Sequence, residues 1–433
     1  MSEGYAARRI AALAYDRAIR GKGPLDESLA AAPGFDALEP RDRAFARLLA
    51  ATAVRRTGQT QAALDTFLNK PLPDDAHMAR ALLQTGAAQL IWLGTAAHAA
   101  VSATVGLAKE DPATARFAGL FNAILRKIDQ QGAPIARGTP PSANLPDWLA
   151  ASWRAAYGTD RTEAIAAACA REPTLDLSLR DPASAAHWAE ALGAESLPGG
   201  SLRKRSIGDL TALPGYEDGA WWAQDAGAAL PARLLCVTPG ERVLDLCAAP
   251  GGKTLQLAAS GADVTALDAS PKRLKRLSAN LARTDLSADI IATNGRTWRS
   301  EAQYDAILLD APCTATGTLR RRPDAAWTKQ AGDAASLMPI QDDLAATAVT
   351  ALRPGGRLVI CTCSLQPEEG EDWLARSLAA HPGLTTDPVR PEELPGLEAA
   401  ILPSGAVRLT PDMWSEQGGI DGFFIARLHK AAA

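Results

Sequence analysis

Arg242-Val-Leu-Asp-Leu-Cys-Ala-Ala-Pro-Gly-Gly-Lys-Thr254 is the stretch on which the fold turns. Arg242–Leu246 is a short apolar run of the kind that forms a buried strand, and it stops at a glycine-containing turn. Lys253–Ser260 then follows helical spacing, so the turn joins a strand to a helix. Glycines at such a turn let the backbone approach a ligand closely. Two phosphate-binding readings fail on the residues present. A Walker A loop needs a glycine five residues before Gly252, where this chain has Cys247, and the dinucleotide pattern GxGxxG is absent.

Downstream, strand and helix alternate. Asp263–Leu267, Ala288–Ala292, Tyr304–Leu309 and Arg357–Cys361 read as strands, Pro271–Ala282 and Ser336–Leu352 as helices, and Gly422–Leu428 as a closing strand. That rhythm predicts a doubly wound α/β sheet with ligands at the carboxyl ends of its strands. Asp268 falls at the tip of the second strand. It either accepts hydrogen bonds from ribose hydroxyls or caps the helix beginning at Pro271. Taken with the preceding turn it suggests a nucleoside ligand. S-adenosylmethionine suits the site better than a phosphate-bearing cofactor, because no anion cradle is evident.

Upstream, residues 1–130 read as an all-α domain. Apolar residues recur at helical spacing, as in Ile10, Leu13, Ala14 and Leu82, Leu83, Leu90, with breaks at Pro33-Gly34 and Asp111-Pro112. Residues 131–144, rich in Gly, Pro and Ser, predict an extended solvated linker. Residues 145–235 are mixed, with helices near Trp148–Tyr157 and Thr162–Ala170 and a strand at Leu175–Leu179. They are expected to pack with the sheet domain of residues 236–433.

A chain that is 47% hydrophobic and 22% charged is globular rather than disordered. Its six cysteines form no CxxC pair, which points to reduced thiols and a cytoplasmic protein. No stretch of about 20 apolar residues is present to span a membrane. No metal centre is expected, and the chain is expected to be a monomer. A net charge of -4 does not advertise a nucleic-acid partner. Charge is uneven, however, with basic clusters at Arg203–Arg205, Lys272–Arg276 and Arg320–Arg322. Each is either a solvated face or a contact to RNA phosphate. Arg320–Arg322 is the cluster expected nearest the RNA path, because it directly follows the loop that carries Cys313.

The chemistry rests on thiols. Asp310-Ala-Pro-Cys313 follows the fourth strand and Thr362-Cys363-Ser364 the fifth, so both cysteines lie at the ligand edge of one sheet. Carbon 5 of cytosine is a poor nucleophile until a thiolate adds to carbon 6 and makes it enamine-like. Asp310 near ring nitrogen 3 would stabilise that adduct. Methylation of an exocyclic amine needs neither thiol. Local chemistry does not rank Cys313 against Cys363.

Four motifs resemble one family: DLCAAPGGKT from Asp245, LLDAPCTATGTLRRRPDAAW from Leu308, TCSLQPEE from Thr362 and DGFFIARL from Asp421. They are similar to the RsmB/Nop/Sun RNA 5-methylcytosine methyltransferases, nearest their bacterial ribosomal-RNA branch. Gly215-Tyr-Glu-Asp-Gly219 with Gln224-Asp225 matches the approach to that core, and the helical first 130 residues resemble its NusB-like RNA-binding domain. The resemblance implies a Rossmann-like class I methyltransferase sheet behind an N-terminal all-α NusB-like domain, acting on small-subunit ribosomal RNA. It implies S-adenosylmethionine contacts at Cys247, Ala248, Ala249, Pro250, Gly251, Gly252, Lys253, Asp268, Asn294 and Asp310. It makes Cys363 the nucleophile and Cys313 the cysteine needed for product release. Two features depart from the pattern: Asn294 stands where the family has Asp, and the LRxN expected near Leu175–Leu179 is missing. The competing expectations are a catalytically weak RNA-binding or assembly factor and an RNA N-methyltransferase.

Overall fold

In the computed structural model, residues 4–205 and 208–432 are described. Contacts divide the chain into two compact units. The first comprises Met1–Glu172 with Leu319–Ala331, and the second Pro173–Thr318 with Gly332–Ala433.

The first unit is helical, as the sequence predicts. Helices Tyr5–Ile19, Pro40–Arg55, Thr57–Phe67, His77–Ile91, Ala97–Glu110 and Ala118–Lys127 enclose a core that includes Ile10, Leu49, Leu83 and Phe121. Small residues let these helices approach closely: Ala7, Ala11, Ala14 and Ala18 share the buried face of the first helix. Pro40 opens its helix where a missing N–H costs nothing, and the Asp111 side chain caps the turn at Pro112 by accepting the Ala113 N–H at 2.9 Å.

The segment 131–144 is not an extended linker. A π-helical turn at Ile128–Gly132 runs into a helix at Ala133–Gly138, and a 3₁₀ turn follows at Pro141–Asn144. Side chains pin it in place. Gln59 N–H donates to Asn144 Oδ1 at 3.0 Å, Asn144 Nδ2 returns a bond to Gln59 Oε1 at 3.0 Å, and Gln59 Nε2 donates to Thr139 O at 2.9 Å. A Cβ on Gly58 would sit 1.7 Å from the Ala143 carbonyl oxygen, so glycine is required for this approach. Helices Asp147–Tyr157 and Thr159–Cys169, with Trp153 and Ile165 buried, also belong to this unit rather than to the sheet domain.

The second unit holds two sheets. In the smaller one β1 (Leu175–Leu179), β2 (Glu195–Ser196), β3 (Leu202–Lys204) and β4 (Trp221–Ala223) lie in the order β2-β3-β1-β4. The larger is formed by β5 (Arg242–Leu246), β6 (Asp263–Asp268), β7 (Asp289–Ala292), β8 (Tyr304–Asp310), β9 (Leu352–Thr362), β10 (Leu384–Thr386), β11 (Val407–Leu409) and β12 (Phe423–Lys430). Its order is β10-β12-β9-β8-β5-β6-β7, with β11 also on β12. β7, β6, β5, β8 and β9 run parallel, and β12 is antiparallel to β9. This is the expected Rossmann-like α/β arrangement. Its inner strands are covered on both faces, which is why they read as unbroken apolar runs: Val243, Leu244, Ala306 to Leu309 and Leu358 to Cys361 are all fully buried. From β5 the chain winds outward through β6 and β7, then resumes at β8 on the other side of β5. The crevice between the ends of β5 and β8 is therefore the switch point at which such sheets bind ligands.

Asp176 on β1 stands in the stretch that lacks the LRxN pattern. It is buried and paired bidentately with Arg203 of β3, at 2.6 Å for both bonds, and Asp176 Oδ2 also accepts the Ala226 N–H at 3.0 Å. Arg203 is thus no part of a solvated basic cluster.

Candidate active site

Each expected site residue of the second unit lies at or just beyond the carboxyl end of a parallel strand. The turn Cys247–Gly251 leaves β5, and Cys247 and Gly251 both have positive φ, 70° and 108°. Cys247 N–H and Ala248 N–H donate to Leu267 O of β6 at 2.8 and 3.0 Å, so the turn is an extension of the sheet rather than a loose loop. Behind it Asp245 is wholly buried. Its Oδ2 accepts the Thr254 hydroxyl at 2.6 Å, its Oδ1 meets no donor, and burial pushes its carboxyl up to about 7.

Asp268 ends β6. Its Oδ2 accepts the Ala249 N–H at 3.1 Å and its Oδ1 the Ser270 N–H at 2.8 Å, while Arg273 approaches at 3.5 Å. Arg273 also donates to Ala249 O. The helix Pro271–Thr284 is capped by the Ser270 hydroxyl, which accepts the Arg273 N–H at 3.3 Å, so Asp268 is not its cap. Asn294 follows β7, is exposed, and accepts the Arg296 N–H on Oδ1 at 3.1 Å.

Asp310 ends β8. One oxygen receives Lys253 Nζ at 2.8 Å and the other the Cys361 thiol at 3.4 Å. Burial pulls the Lys253 ammonium down, but Asp310 more than offsets this, and the pKa lies above the ordinary lysine range. Lys253 also sits 5.3 Å above the Phe423 ring.

Cys313 and Cys363 come together, Sγ to Sγ 3.5 Å, from loops 50 residues apart. The hydrogen bond to Cys363 and then burial push the Cys313 thiol well above its ordinary value, so it keeps its proton at neutral pH. The Cys361 thiol is likewise raised, by burial, and stays inert beneath Asp310.

Glu369 is a residue that the sequence reading does not single out, although it ends the motif TCSLQPEE. It is wholly buried, and its carboxylate accepts the Thr314 N–H at 3.0 and 3.2 Å, the Thr314 hydroxyl at 2.5 Å and Gln341 Nε2 at 3.1 Å. Among the described residues, no three His, Cys, Asp or Glu side chains gather as metal ligands, and no helix is long and apolar enough to cross a membrane.

The model for 16S rRNA methyltransferase RsmB/F matches residues 232–429, and that of the NusB family matches residues 6–130. A ribosomal RNA small subunit methyltransferase B from Pseudomonas putida is 35% identical, over 98% of this chain and 99% of the relative. Among solved structures, PH0851 superposes with a TM-score of 0.74 at 22% identity over 98% of this chain and 99% of its own. A methyltransferase homolog protein from Pyrococcus horikoshii does so at 0.53 and 26%, over 63% of this chain and 92% of its own.

Proposed function

The chain belongs to the RsmB/F family of 16S rRNA methyltransferases, and on that premise we propose that it methylates carbon 5 of a cytosine in small-subunit ribosomal RNA, using S-adenosylmethionine and a covalent adduct through Cys363. The observation that carries this reading is the 3.5 Å approach of Cys313 to Cys363 beside the Asp310–Lys253 pair. Methylation of an amine has no use for two adjoining thiols.

The donor set fits a cationic nucleoside without phosphate. Asp268 is a carboxylate oriented by two backbone N–H groups, and the charge of Lys253 is directed at Asp310 rather than held free for an anion. Cys247 to Lys253, Asp268, Asn294 and Asp310 would hold the cofactor, which supplies an electrophilic sulfonium methyl. The remaining steps belong to the chain. Cys363, reacting as a thiolate after its proton passes to solvent, forms a bond to carbon 6, and the displaced electron pair moves into the ring, where the Asp310–Lys253 pair stabilises nitrogen 3. Carbon 5 takes the methyl, then gives up its proton to a water molecule acting as base, as the carbon–sulfur bond breaks and its electron pair stays on the Cys363 sulfur. Cys313 remains protonated beside Cys363 and stabilises sulfur as it leaves.

The test uses ribosomal RNA and a methyl-labelled donor, with nucleoside analysis of the product. The parent enzyme should yield labelled 5-methylcytidine, and Cys363→Ala none, with cofactor affinity retained. Label in an N-methylated nucleoside, or Cys363→Ala activity within a few-fold of the parent, would overturn the proposal.

A further inference from the structure

Product release in the proposed mechanism depends on Cys313 staying within reach of Cys363, yet the two residues sit on separate loops with no covalent tie. Hydrogen bonds link them instead. The residue after Cys313 is Thr314, whose N–H and hydroxyl both end on the Glu369 carboxylate. The residue before Cys313 is Pro312, whose carbonyl accepts Gln341 Nε2 at 3.0 Å, and the same nitrogen donates to Glu369 Oε1. On the other loop, the Thr362 hydroxyl donates to the Glu369 carbonyl at 2.9 Å, and Ser364 Oγ lies 3.0 Å from Thr314 Oγ1. Both neighbours of both cysteines are therefore held, and Glu369 reaches three of the four directly or through Gln341.

A neutral side chain of the same length would accept these bonds at less cost, because burying a carboxylate is expensive without a counter-ion. Among the described residues no Lys, Arg or His side chain pairs with Glu369. What a carboxylate adds here is acceptor-only chemistry, with no N–H to misplace against three donors, and a negative field that adds to the Cys363 hydrogen bond and burial in raising the Cys313 thiol. From this arrangement we infer that Glu369 is the positioning residue that holds Cys313 in register with Cys363, and so controls the release of methylated RNA. The inference rests on the thiol mechanism proposed above.

The experiment follows covalent protein–RNA adduct on denaturing gels, together with turnover and cofactor affinity, in full-length protein. Cys313→Ala should accumulate adduct, because sulfur loses the group that eases its departure. Glu369→Ala should accumulate it as well, with turnover down at least ten-fold and cofactor affinity within two-fold of the parent. A merely structural defect would lower adduct and turnover together. The double variant Cys313→Ala/Glu369→Ala should hold no more adduct than Cys313→Ala alone. Glu369→Gln keeps an acceptor for the Thr314 N–H, so it should regain part of the turnover while still showing adduct. It carries the same test if the alanine variant fails to fold.

Adduct in Cys313→Ala but parental turnover in both Glu369 variants would overturn the inference and leave the thiol mechanism standing. Slowed turnover without adduct in the Glu369 variants would do the same. Absence of adduct in Cys313→Ala, together with an active Cys363→Ala, would overturn the thiol mechanism and this inference with it.

Discussion

Lys253 and Asp310 meet across the crevice between β5 and β8, Nζ to Oδ2 2.8 Å. The pair is asymmetric, since the Lys253 side chain is 11% exposed and that of Asp310 31%. Removing the carboxylate strands a buried ammonium, whereas removing the amine leaves an anion that water still reaches. Asp310→Asn should therefore cost about 3 kcal/mol of stability and Lys253→Met about 1 kcal/mol, with methyl transfer lost in both. Urea unfolding checks the order. A larger loss in Lys253→Met would mean that Asp310, not Lys253, is the group dependent on its partner.

Asp268 and Ser270 let the proposed cofactor contact be tested apart from helix capping. Asp268→Ala should weaken S-adenosylmethionine binding by roughly 1.5–3 kcal/mol, as expected when hydrogen bonds to a charged group are removed. Ser270→Ala removes the actual cap, and should cost about 1 kcal/mol of stability with the dissociation constant unchanged. Asn294→Asp keeps the oxygen that accepts the Arg296 N–H and should bind the cofactor as well or better. Calorimetry on the three variants reads all of this; equal affinity in Asp268→Ala and the parent would leave Asp268 a purely structural orienter of the turn.

The parts of this molecule that are legible in the sequence are those whose burial leaves a one-dimensional trace. β5, β8 and β9 are apolar on both faces, so their runs show, and strand order then brings Asp268, Asp310, Cys313 and Cys363 to one edge. The failures share a different cause. Glycine and proline in 131–144 signal a solvated linker, but the segment is helical and packs closely, with its Ala143 carbonyl against Gly58 of a helix far off in sequence. Asp176 looks like a missing RNA-binding residue and Arg203 like a surface charge, because nothing local says that they neutralise each other across two strands. Gln341 and Glu369 are polar residues inside a core, and apolar periodicity is blind to them.

Arg320–Arg322 directly follow the loop that carries Cys313, a position that predicts all three near the RNA path. Arg320 is instead buried, and its carbonyl accepts Arg55 Nη2 at 3.1 Å, while Arg321 and Arg322 are exposed. A triple substitution would therefore confound folding with binding. Arg321→Gln/Arg322→Gln should retain the parent's melting temperature and weaken RNA binding. The dependence of log K on log salt should become shallower by about 0.7–0.9 for each phosphate that is no longer neutralised. Arg320→Gln should lower the melting temperature instead. An unchanged salt slope in the double variant would return the cluster to an ordinary solvated loop.

Asp245 gives the fold a pH dependence opposite in sign to that of a paired carboxylate. Burial raises its carboxyl from 3.8 to about 7 in the folded chain. Below about pH 4 the group is protonated in both states and contributes nothing. Between about pH 4 and 7 the unfolded chain releases the proton and the folded chain keeps it, so this group makes folding progressively less favourable as pH rises. The full penalty, at most about 4 kcal/mol, is reached above about pH 7. Asp245→Asn keeps an oxygen for the Thr254 hydroxyl and has no proton to lose. Its stability relative to the parent should therefore grow as pH increases from about 4 to 7 and level off above about 7. Denaturant unfolding of both proteins at several pH values measures that difference, and a difference independent of pH would mean that Asp245 is ionised in the folded protein.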